Sequence, residues 1–199
     1  MTSKVARCGW AAGTEILTLY HDEEWGVPVH DDARHFEFLI LEGAQAGLSW
    51  LTVLRKRDAY RQAYRGFDPQ RVARFAKRDI ERLVGNPGIV RNRAKIESSI
   101  TNARRFLDIQ EEFGSFDAYL WRWVDGKPVL NRWRAISEVP PRSELSDTLS
   151  RDLKARGFSF VGSTIVYAHL QAVGVVNDHL AGCFRWRELA GTRARGARR

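Results

Sequence analysis

What is scarce in this 199-residue chain narrows its reading before any motif does. No apolar run approaches the roughly 18 residues of a membrane span, so no membrane partner is expected. The amino end, MTSKVARCGW, lacks the apolar core of a signal peptide, and the chain is expected in the cytoplasm. That compartment is reducing, which disfavours a disulfide between the two cysteines, Cys8 and Cys183. No segment alternates strictly between apolar and polar residues within turn-type boundaries, so nothing speaks for a sheet. Internal repeats are missing, and the loop RWRAISEVPPRSEL is too short to separate large domains. What is left is one domain, long enough to bury a sizeable core.

Charge and aromatics are present in excess. The net charge is +8, but the last fifteen residues, RWRELAGTRARGARR, hold six arginines against one glutamate and supply +5 of it. The body is therefore only mildly basic, and the tail, 185–199, is expected to be disordered. Seven tryptophans, at positions 10, 25, 50, 121, 123, 133 and 186, exceed what an ordinary core needs.

Apolar spacing predicts an all-α chain. DDARHFEFLILEG starts at a capping aspartate and sets Phe36, Leu39, Ile40 and Gly43 on one stripe. SWLTVLRKRDAYRQAY starts at a capping serine, and DPQRVARFA starts with proline in the first helical position. RDIERLV, a long helix over RNRAKIESSITNARRFLDIQEEF with Ile96, Ile100, Ala103 and Leu107 inward, FDAYLWRWV, ELSDTLSRDLKARG and GSTIVYAHLQAVG complete the series.

Each cysteine has a histidine companion. His21 follows Cys8, and His179 stands four residues before Cys183, which on a helical turn puts both donors on one face. Two thiolates and two imidazoles make a closed tetrahedral zinc site that would tie the amino to the carboxyl end. Zinc fingers normally space their ligands more closely than Cys8 and His21, so buried free cysteines with surface histidines stay open as the other reading.

ERLVGNPGIVRNRAKI, Glu81 to Ile96, reads as helix, glycine turn and helix, with Arg91, Arg93 and Lys95 in the first turns of the second helix. This resembles a helix-hairpin-helix, spanning about 80–107, in which Gly88 lets backbone approach DNA and exposed amides meet phosphate. Asp108 lies near the spacing of a repair-enzyme catalytic aspartate, but at roughly 100° from the inner stripe it should flank the helix and see water.

RCGW, YHDEEWGVP, LEGAQAGLSWLTVLRKR, GIVRNRAKI and RGFSFVGSTIVYAHLQAVGVVNDH, closed by Cys183, resemble the bacterial DNA-3-methyladenine glycosylase I family. The likeness runs from Cys8 to about Cys183 and makes 1–184 the glycosylase domain. It implies a helix-hairpin-helix glycosylase fold, one structural zinc at Cys8, His21, His179 and Cys183, and excision of 3-methyladenine from alkylated double-stranded DNA by a monomer. It also implies that the superfamily aspartate is absent, and that Tyr20 meets the base edge with Trp10 and Trp25 as pocket walls.

Within that resemblance Glu42 has a physical task. A carboxylate between Leu41 and Gly43, at the end of an apolar stripe, gains nothing from burial and needs a cation, a donor or a proton. Methylation at N3 makes adenine cationic, so Glu42 would accept hydrogen bonds from the flipped base and supply the opposite charge. Trp50 would stack on the base. Leu48, with Gln45 and Gly47 beside it, would fill the gap the base leaves in the duplex. A non-catalytic zinc-containing DNA-binding module and a glycosylase for another alkylated base are the alternatives.

Overall fold

The structure, a computed structural model, describes residues 5–191. Eleven α-helices lie among the described residues: α1 (Glu15–Glu23), α2 (Asp32–Gln45), α3 (Trp50–Leu54), α4 (Arg57–Ala63), α5 (Pro69–Ala73), α6 (Lys77–Val84), α7 (Arg93–Phe113), α8 (Phe116–Trp121), α9 (Glu144–Ala155), α10 (Ser163–Ala172) and α11 (Phe184–Gly191). Two short strands, β1 (Val129–Leu130) and β2 (Val176–Asn177), pair in parallel and correct the expectation of a purely helical chain. Two residues per strand are too few to leave an alternating pattern in the sequence. No described helix is long and apolar enough to cross a membrane.

The expected start signals cap their helices. Asp31 accepts from the Arg34 amide at α2, Ser49 from Thr52 at α3, and Asp68 from Gln70 and Arg71 ahead of Pro69 at α5. The stretch SWLTVLRKRDAYRQAY is two helices, not one: the chain turns at Arg55 and Lys56. The turn sends the Lys56 ammonium to the Pro87 carbonyl at 2.8 Å and Arg57 to Glu24 and Glu37, contacts that no local spacing reveals. On α7 Ile96, Ile100 and Ala103 are buried, but at the far end of the stripe Phe106 is the buried residue and Leu107 is half-buried beside it. The expected disordered tail does not begin at 185, because Phe184–Gly191 is helix and Trp186 donates from Nε1 to the Asn131 carbonyl. Residues 192–199 lie outside the described part.

Helix α2 is the axis of the molecule. It packs against α3, α7, α8 and α10, and every residue from His35 to Glu42 is buried. A helix apolar all round would suit that position, yet this one carries two carboxylates, Glu37 and Glu42. Glu37 accepts from Arg34, Arg57 and Arg61 at 2.7–2.9 Å, and Arg57 also reaches Glu24. Burial alone would raise the Glu37 carboxyl, but the bond to Arg57 and the surrounding arginine charge more than offset it and hold it below the usual range.

Candidate functional site

Glu42 lies one turn before the end of α2, 4 % exposed. No group among the described residues donates to it, and burial pushes its carboxyl up to about 8. It lines a cavity of about 470 Å³ together with Trp10, Tyr20, Trp25, Gln45 and Trp50. Tyr20 comes from α1 and Trp50 opens α3, and their rings lie 5.4 Å apart. Trp10 meets Trp25 edge-on at 5.0 Å. The Tyr20 hydroxyl is held well above its ordinary pKa, first by burial and then by the Glu42 charge, so it stays a donor. The buried Trp50 Nε1 has no partner. Trp10, Tyr20, Trp25, Glu42 and Trp50 thus line one concave space.

The wedge segment is a tight turn beside that cavity. Ala46 has φ −43° and ψ 115°, Gly47 has φ +78°, and the Leu48 amide donates to the Gln45 carbonyl at 2.6 Å. These are the marks of a type II turn, whose third position needs glycine. Gln45 is half-buried at the cavity wall, while Leu48 stands 42 % exposed at its tip.

The hairpin residues are placed less uniformly. A side chain on Gly88 would put its Cβ 2.8 Å from that of Ala59, and the Gly88 amide donates to Asn86 Oδ1. Close packing against α4 therefore gives that glycine its reason. Arg93 pairs with Glu81 at 2.8 Å. Lys95 turns inward, and its ammonium donates to the Ala44 carbonyl at 2.9 Å and the Ala46 carbonyl at 2.5 Å. It caps the end of α2 rather than facing solvent. Arg91 is exposed and has no side-chain partner among the described residues. Asp108 is exposed and paired with Arg105, as the helical angle predicted.

Cys8, His21, His179 and Cys183 form one buried cluster with ligand atoms within 4.8 Å of one another. His179 and Cys183 lie in a turn rather than on a helix. Both thiols are free. The acceptors behind the rings fix the tautomers. His21 donates from Nδ1 to Asp22 at 2.7 Å, and Asp22 is held by Arg7. His179 donates from Nε2 to the Trp25 carbonyl at 2.9 Å. Each ring then presents its other nitrogen, as a lone pair, to the cluster. The hydrogen bond from Cys8 favours the Cys183 thiolate. This donor set can hold a metal ion, and it is joined through Trp25 to the cavity wall.

Other cavity residues carried no signal in the sequence. Asp178, 2 % exposed, accepts from Asn131, Trp133, Tyr167 and Gln171 at 2.6–2.8 Å. Its donors are neutral and scattered over forty-odd positions, so only the fold reveals them. Ile136, Val139, Pro140 and Pro141 add a rim from the loop before α9.

A helical frame with a metal-competent staple and an aromatic cavity built around an unpaired carboxylate defines a receptor for a flat, positively charged ring. The methyladenine glycosylase family model matches residues 10–186, and the chain belongs to that family. It is 47 % identical over 177 residues to DNA-3-methyladenine glycosylase 1 of Escherichia coli strain K12, covering 89 % of this chain and 95 % of that one. A crystal structure of 3-methyladenine DNA glycosylase I superposes with a TM-score of 0.87 at 46 % identity, covering 90 % and 98 % of the two chains. A variant of such an enzyme in complex with 3-methyladenine superposes with a TM-score of 0.87 at 37 % identity, covering 89 % and 96 %.

Proposed function

We infer that the chain excises 3-methyladenine from alkylated double-stranded DNA as a monofunctional, monomeric N-glycosyl hydrolase of base-excision repair. The observation that carries this is Glu42, a buried carboxylate without a partner inside an aromatic cavity. A neutral base offers such an anion nothing that offsets its lost hydration, whereas a cationic purine supplies charge and amino-group donors together. Stacking of that cation on Trp50 adds about 2 kcal/mol once water is excluded.

The base leaves the duplex and enters the cavity while Leu48 fills the gap. As the glycosidic bond stretches, its electron pair passes to the purine ring and cancels the ring's positive charge. Water adds its oxygen to C1′ and gives its proton to solvent, leaving neutral 3-methyladenine and an abasic deoxyribose. The ionised Glu42 opposes the positive charge that spreads over sugar and base in the transition state. No lysine among the described residues lines the cavity, and Lys95 is held by backbone carbonyls, which favours water over a Schiff base.

The helices α6 and α7 with their glycine turn act as the helix-hairpin-helix, and Arg91 is its free cation for a phosphate. The metal is zinc, held by Cys8, His21, His179 and Cys183. A tetrahedral zinc with bonds of about 2.3 Å to sulfur and 2.0–2.1 Å to nitrogen needs sulfur–nitrogen edges of about 3.6 Å and a nitrogen–nitrogen edge of about 3.3 Å. Three of the four sulfur–nitrogen separations, 3.4, 3.6 and 3.7 Å, and the nitrogen–nitrogen separation, 3.2 Å, are of that size, and all donor atoms lie within 4.8 Å of one another. Zinc there supplies a cross-link between the chain's two ends and no reacting group.

The test is to incubate the full chain with dimethyl sulfate-treated DNA and separate the freed bases by chromatography. Release of 3-methyladenine without 7-methylguanine is expected. Salt-dependent binding with no release would mark a non-catalytic DNA-binding module, and comparable release of both bases would mark a glycosylase of another specificity.

A further inference from the structure

Five large aliphatic side chains are exposed among the described residues; of these Ile136 lines the cavity, and Leu48 lines a hollow adjoining it. Single exposed aliphatics are ordinary on a protein surface, so exposure by itself decides nothing. The setting of Ile136 does. It is 58 % exposed on a helical turn of Ile136–Glu138, at the cavity rim, and is followed there by Val139, Pro140 and Pro141. The segment from Arg132 to Arg142 carries three exposed arginines against one glutamate, Glu138. The Arg134 guanidinium has no partner among the described residues, since its contact with Glu138 is made by its backbone amide. Arg142 approaches Asp147 only at 3.7 Å, and Arg132 lies over the Trp186 ring at 5.6 Å.

The stem of this segment is rigid. Trp133 donates from Nε1 to Asp178, its carbonyl accepts from Ala181, and the Asn131 carbonyl accepts from Trp186. Two prolines then limit the backbone where the loop borders the cavity. An apolar tip on a fixed base, fringed by three exposed arginines of which Arg134 is unpaired among the described residues, fits a polyanion with exposed stacked faces, which is DNA opened at one base step. A protein partner would offer no reason for the cationic fringe, or for sharing a rim with a cavity that must admit a nucleotide.

We propose that the Arg132–Arg142 segment is a second DNA-gripping element, with Ile136 packing against the opened step beside the flipped nucleotide and Arg134 on a neighbouring phosphate. This rests on the proposed function, because it takes the cavity to receive a base from duplex DNA. It gives the flipped nucleotide a support from the strand-and-loop side that the Gln45–Leu48 turn, rising from α2, does not provide.

The experiment compares the parent with Ile136→Ala and Arg134→Ala. Single-turnover release of 3-methyladenine is read from methylated duplex and from methylated single strand, and binding of free 3-methyladenine is read by tryptophan fluorescence. Affinity for an unmodified duplex is measured against salt. Ile136→Ala is expected to slow duplex excision about tenfold more than it slows single-strand excision or weakens free-base binding. Arg134→Ala is expected to lower the salt slope of duplex affinity by about 0.9. Duplex excision at the parent rate by Ile136→Ala, or an unchanged slope for Arg134→Ala, overturns the proposal. So does a parallel loss of free-base binding by Ile136→Ala, which would make the residue a cavity wall. A parent that releases no base sinks the enzymatic reading instead, while the salt slope still reads the grip.

Discussion

Two glutamates five positions apart on one helix have opposite electrostatic fates. Glu37 is surrounded by three arginines and Glu42 by none. The Glu42 oddity was legible in sequence, since an acid closing an apolar stripe needs a reason. Glu37 was not, because two of its three partners lie on α4, and only the fold brings them to α2. A consequence for pH follows at this scale. The folded chain holds a proton on Glu42 that the unfolded chain releases between its ordinary value of 4.5 and about 8. The Glu42 contribution to stability therefore falls as pH rises across that window and is level above it. Relative to the parent, Glu42→Gln should gain stability from pH 5 to pH 8, on the order of a few kcal/mol, in urea unfolding curves. The same variant should lose most 3-methyladenine release, and the parent's kcat/KM should climb with pH toward about 8 as the carboxylate ionises. A variant whose stability gain is the same at both pH values would contradict the uncompensated burial.

Among the elements, the capped and strongly periodic helices were readable, and their joints were not. The break at Arg55 and Lys56, the short parallel strands and the helix at 184–191 all depend on partners distant in sequence. Lys95 shows why residue type alone misleads. A lysine in the first turn after a hairpin reads as a phosphate ligand, yet here it ties α7 to the last turn of α2 and to the wedge turn. Lys95→Met removes a charged donor from two carbonyls, a loss of about 1.5–3 kcal/mol for bonds of this kind. Duplex excision should drop roughly tenfold as the turn loosens, with the salt slope of DNA binding unchanged. A slope lower by about one would show that Lys95 meets a phosphate after all.

Across the whole molecule, the resemblance reached from Cys8 to Cys183, and the two histidines and two cysteines meet in one buried cluster. Spacing alone left that cluster open, because its halves lie more than 150 residues apart. Chelator treatment of the protein loaded with the proposed zinc should lower Tm on the order of 10 °C. It should also weaken free 3-methyladenine binding, since His179 holds the Trp25 carbonyl. Retention of full base affinity by the stripped protein would separate the staple from the receptor. The link from His179 to Trp25 also sets an order of events during synthesis. A nascent chain has made Trp10, Tyr20, Trp25 and Trp50 of the receptor's aromatic wall by residue 50, but His179, which holds the Trp25 carbonyl, emerges only some 130 residues later. Translation products that stop short of His179 thus carry most of the receptor's aromatic rings without the contact that sets Trp25.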